Sequence, residues 1–96
     1  MKEVMNILDK FKLSDTGVVI SGANPKFDTL AKDKIEKLIG KSIIIRKPSG
    51  SEMKVKVKGV DVARSLLGKS NISIRLGDTV DLEDVEVNST VYGTGS

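Results

Sequence analysis

The chain has 96 residues, 39% of them hydrophobic and 30% charged, with a formal net charge of +3. That amounts to one soluble, globular domain with a single modest core. Cys and His are both absent, which excludes a disulfide framework, a thiolate zinc site and the commonest general base; no run approaches the ~20 apolar residues of a membrane span.

The opening MKEVMNILDK lacks the unbroken apolar core of a secretory leader, so the expected location is cytoplasmic. FKL, 11–13, alternates as a half-buried strand does, and SDTG, 14–17, is turn chemistry. VVIS, 18–21, is short and rich in β-branched residues, which predicts a buried strand closed by GANP, 22–25.

In FDTLAKDKIEKLIG, 27–40, Phe27, Leu30, Ala31, Ile35, Leu38 and Ile39 recur at three and four residues. That spacing predicts a helix near 28–39, capped by Asp28 or Thr29 and ended by Gly40, with Lys32, Lys34 and Lys37 on the opposite face. Its apolar stripe either covers the core or offers itself to a partner.

KSIIIRK, 41–47, predicts a strand, and PSGS, 48–51, a turn. EMKVKVKGV, 52–60, alternates strictly, with Met53, Val55 and Val57 on one face and Lys54, Lys56 and Lys58 on the other. Three lysines on one strand face can follow a phosphate backbone, or can guard a sheet edge against pairing with another chain. NISIRL, 71–76, and STVYG, 89–93, predict two further strands, and LEDVEV, 82–87, is a short apolar-and-acidic segment.

The expected core is Phe11, Leu13, Val19, Ile43, Ile45, Val55, Val57, Ile72, Ile74 and Leu76. Short strands at turn-rich spacing around one helix indicate an all-β fold, a small barrel or sandwich. Residues 1–93 form one domain in this reading, and 94–96 a disordered tail.

Charge is unevenly spread. From Lys26 to Lys58 there are ten Lys or Arg against four Asp or Glu, whereas from Asp78 onward there are five acids and no base. The basic stretch can attract phosphates, or can be a solvated surface.

ILDKFKLSDTGVVISG, 7–22, resembles the opening of the second domain of elongation factor Tu and related translational GTPases. The matching positions are Ile7, Asp9, Phe11, Leu13, Gly17, Val19, Ser21 and Gly22. KSIIIRK, VKGVDVARSLL and NISIRLGDTVDLEDVEVNSTVYG resemble later parts of that domain, so the likeness runs over nearly all of 5–93. It implies a small closed β-barrel standing alone, with the helix near 28–39 as an insertion. It also implies that VARSLLG, 62–68, is a corner where Val62, Leu66 and Leu67 plug the barrel and Arg64 points out. Asn88 takes the place of a turn glycine, and Asn tolerates positive φ better than other residues with a side chain.

No GxxxxGK[ST] loop is present, so no nucleotide is expected to bind this chain. The family's aromatic pocket residue corresponds to Ala63 and its acidic neighbour to Asp61, which removes the stacking platform for an aminoacyl end.

The functional expectation is a non-enzymatic binding module that contacts RNA or a ribonucleoprotein surface through Lys54, Lys56, Lys58, Asp61 and Arg64, with no cofactor and no metal. The alternative is a protein–protein interaction domain that uses the helix 27–40 or the acidic segment 78–86. An enzyme is disfavoured: Ser14–Asp15 and Asp81–Glu83–Asp84 have no local base signature beside them.

Overall fold

The computed structural model describes residues 1–95. Seven strands form one antiparallel sheet: β1 (Lys2–Leu13), β2 (Gly17–Ala23), β3 (Ser42–Arg46), β4 (Glu52–Lys56), β5 (Gly59–Arg64), β6 (Ser70–Gly77) and β7 (Thr90–Gly93). The spatial order is β4-β3-β7-β1-β2-β6-β5. One helix, α1 (Lys32–Ile39), and two 3-10 turns, Pro25–Phe27 and Leu82–Asp84, complete the described elements.

The all-β expectation holds in outline, but the sheet is open. Among the described residues no ladder joins its edge strands β4 and β5. These strands are consecutive in sequence and meet at a two-residue step. The Val57 N–H donates to Lys41 O on the β3 side at 2.9 Å, and the next N–H, of Lys58, donates to Arg75 O on β6 at 2.7 Å. A covalent step therefore crosses the seam where a closed barrel would carry a ladder. The single strand expected over 52–60 is two strands for the same reason.

The inner face holds the core. Val4, Met5, Ile7, Val18, Ile20, Ile43, Ile45, Val55, Val60, Ile72, Ile74, Leu76 and Val91 pack there with Phe27, Ile35, Ile39, Val80 and Val85. Ile43, Ile45, Val55, Ile72, Ile74 and Leu76 lie where expected, and Val57 is half-buried against the cluster.

Phe11 and Leu13 do not belong to it: they are 38% and 46% exposed. The cause is a bulge in β1. Ile7 pairs with Gly22, but Asp9 pairs with the very next partner, Ser21, so Leu8 is an extra residue. One extra residue reverses the alternation beyond it. Lys10 consequently turns inward, where its Nζ donates to Leu82 O at 2.9 Å and Val85 O at 2.6 Å. Phe11 and Leu13 go to the outer face beside Val19, which pairs with Phe11 and Arg75. Val19 is buried as expected, but outside the main core.

The helix is shorter than its apolar spacing suggests. Asn24 caps the Pro25–Phe27 turn by accepting from Lys26 N at 3.0 Å, and α1 starts only at Lys32. Phe27, Ile35 and Ile39 are fully buried, with Leu30 and Leu38 packed against the cluster, so the stripe covers the core. α1 packs against β1, β5 and β7. The expected tail, 94–96, is tied down as far as Gly95: Thr94 N donates to Ile39 O and Gly95 N to Leu38 O, at 3.0 and 3.2 Å.

Of the three residues expected to plug the fold at VARSLLG, only Val62 packs against the core, half-buried. Val62 to Arg64 finish β5, and Ser65 to Lys69 make the β5–β6 hairpin turn, with Ser65 N donating to Lys69 O at 2.9 Å. Leu66 and Leu67 stand in solvent at its tip.

Candidate functional site

Strand alternation places Lys54 and Lys56 on the outer face of β4, on either side of the buried Val55. Lys58 sits on the step into β5, and its aliphatic stem lies across Gly77, where an added Cβ would approach Lys58 Cγ to 3.1 Å. Lys41, just before β3, completes a groove with Ser42 and Val57. None of these four lysines forms a salt bridge among the described residues. Four exposed, unpaired cations along one groove create a local positive field that favours a polyanion.

The pairing register extends this surface across three strands. Ile44 of β3 lies directly between Lys54 of β4 and Tyr92 of β7, and Tyr92 in turn faces Glu3 of β1. Directly paired residues share a sheet face, so Lys54, Ile44, Tyr92 and Glu3 form one row on the outside. In the adjacent row Arg46 faces Glu52, with Nη2 2.5 Å and Nε 2.6 Å from the Glu52 carboxylate. Arg46 also donates to the Tyr92 hydroxyl at 3.1 Å, and its guanidinium carbon stands 4.9 Å from the ring centroid. The hydrogen bond to Glu52 is the main reason its pKa lies above the ordinary arginine value.

The other two expected contacts lie elsewhere. Asp61 is on the outer face of β5, 3.3 Å from Arg75 Nε; together with Phe11, Leu13 and Val19 these two line a separate hollow. Gly59, opposite Arg75, leaves the space that the guanidinium fills: a Cβ there would meet Arg75 Nη2 at 2.1 Å. Arg64 ends β5, about 20 Å of strand beyond Lys58, and hydrogen-bonds the carbonyls of Asp28 and Leu30. It fastens the loop before α1 to the hairpin. The structure thus groups Lys54, Lys56 and Lys58 and leaves Asp61 and Arg64 apart from them.

Sequence reasoning missed Lys41, Ile44, Arg46 and Tyr92. Alternation in STVYG is enough to turn Tyr92 outward opposite the buried Val91, but bringing β7 beside β3 requires the sheet order.

Asp81, Glu83 and Asp84 are all exposed, and among the described residues no three potential ligands of the His, Cys, Asp and Glu types gather closely enough to hold a metal ion. No helix among the described residues is long and apolar enough to cross a membrane. Comparisons with family models, curated proteins and solved structures found no match to this chain.

Proposed function

We propose that the chain is a non-enzymatic module that binds the phosphate backbone of RNA through Lys41, Lys54, Lys56 and Lys58. The observation that carries this reading is the groove of four lysines with no carboxylate paired to them among the described residues. Phosphate contacts of this kind release counterions and are independent of base sequence. The likeness to a translation-factor barrel belongs to the same proposal. The antiparallel all-β build and the positive φ of 75° at Asn88 support it; the open seam between β4 and β5 does not.

Replacing Lys54, Lys56 and Lys58 together with Ala is expected to weaken binding across unrelated RNA sequences. It should also flatten the plot of log K against log salt by ~0.7 per lost contact on single strands. An unchanged slope, or no RNA binding at low salt by the folded protein, overturns the reading.

Docking to a protein is the second reading, and a specific observation favours it: Leu66 and Leu67 are 106% and 84% exposed at a hairpin tip. The helix no longer supplies an apolar contact, because its stripe is buried. The acidic segment keeps Asp78, Asp81, Glu83, Asp84 and Glu86 exposed. An interface centred on the leucines would be little affected by salt.

A further inference from the structure

We infer that the outer face of β4, β3 and β7 takes single-stranded nucleic acid, with a base stacked on Tyr92 and Arg46 and its phosphates on the lysine groove. The inference rests on the lysine reading above and adds to it the part of the ligand that the groove alone does not choose.

The argument is one of polarity along a single row. Lys54 stands at one end, Ile44 and Tyr92 follow, and Glu3 closes the far end. Neighbouring strands lie about 4.8 Å apart, so the lysine and the tyrosine are separated by about 10 Å of surface. A nucleotide has the same order, an anionic phosphate at one end and a flat, neutral base at the other. The row is cationic where the phosphate would lie, apolar and aromatic where the base would lie, and anionic beyond it.

The aromatic position is already held in place. Glu52 grips Arg46 from one side, while Arg46 donates to the Tyr92 hydroxyl and lies close to its ring. Because the Arg46 charge is matched by Glu52, its planar guanidinium, lying over the ring, serves as stacking surface more than as a phosphate contact. A duplex conceals its base faces and could use only the lysines. A single strand can use the lysines and the ring together.

Tyr92 is also its own reporter, since the chain has one Tyr and no Trp. The experiment measures binding of ten-nucleotide oligouridylate and oligoadenylate, an abasic strand of equal length and an RNA duplex, while following tyrosine emission with correction for nucleic-acid absorbance. Both base-bearing strands are expected to bind more tightly than the duplex and to quench Tyr92. The abasic strand should bind about 5- to 140-fold more weakly without quenching, the range that stacking of one base gives. Tyr92→Ala should lose a similar factor on the base-bearing strands and nothing on the abasic strand, and Tyr92→Phe should retain affinity. If Tyr92→Ala does not fold, quenching and the abasic comparison decide on the unmodified protein. Salt-dependent binding that ignores bases and leaves Tyr92 emission unchanged overturns this inference while the lysine reading stands. Absence of RNA binding overturns both.

Discussion

Leu8 determines what the second half of β1 does. It is 61% exposed and has no partner of its own in the β1–β2 register, yet it sends Lys10 inward and Phe11 outward. The two sides of the bulge should therefore respond differently to truncation. Ile7→Ala, at a fully buried site, should cost about 2–5 kcal/mol of unfolding free energy. Phe11→Ala, at a ring 38% exposed on the outer face, should cost about 1–2 kcal/mol. Equal losses in denaturant titrations would mean that Phe11 is a core residue after all. Alternation within FKL was legible in the sequence, but the bulge was not, because an inserted residue leaves the pattern on each side intact and alters only the phase between them. Asn88 was legible: the residue type that tolerates positive φ stands where φ is 75°. Asn88→Gly should leave stability within a few tenths of a kcal/mol, whereas Asn88→Val should lower it by about 1–2 kcal/mol.

At the scale of elements, α1 illustrates why the helical spacing was right and the helix limits were not. The apolar period marks which side chains reach the core, and a 3-10 turn followed by a short loop delivers Phe27 and Leu30 to it as well as another helical turn would. The close approach of α1 to β7 is set by Gly93, where a Cβ would come within 2.2 Å of Leu38 O and 2.9 Å of Ile39 Cα. Gly93→Ala must push the helix terminus away and should cost about 1–3 kcal/mol by chemical denaturation; a neutral effect would show that the helix end yields freely. Arg64 ties the preceding loop to the β5–β6 hairpin through the carbonyls of Asp28 and Leu30. Arg64→Ala should speed amide exchange around 28–31 and leave RNA affinity unchanged. A loss of affinity without faster exchange would return Arg64 to the contact surface expected from the sequence.

At the scale of the whole molecule, the Cα radius of gyration is 12.3 Å, close to the ~12.5 Å of a compact domain of this length. All-β character, the turns and the inner faces of β3, β4 and β6 were legible because they follow from local pattern, whereas the inner faces of β1, β2 and β7 were not. The open seam and the Lys54–Ile44–Tyr92 row were not, since both depend on which distant strands become neighbours. The seam leaves β4 paired on one side only, to β3, and a free strand edge can recruit another chain. Lys54, Lys56 and Lys58 can therefore protect that edge whether or not they also touch phosphate, and a matched pair of triple variants separates edge protection from net charge. Replacing the three by Ala leaves the chain without net charge, and so does replacing Lys32, Lys34 and Lys37 on the exposed side of α1. In the second set Lys32 is paired to Glu36 at 3.6 Å, an exposed contact of little worth to stability. Sedimentation velocity over a concentration series should show the β4 variant self-associating at lower concentration than the helix variant, because only the former strips a free strand edge of its lysines. Equal association would assign the effect to net charge, and monomeric behaviour of both would show that the β4 edge does not need its lysines to stay unpaired.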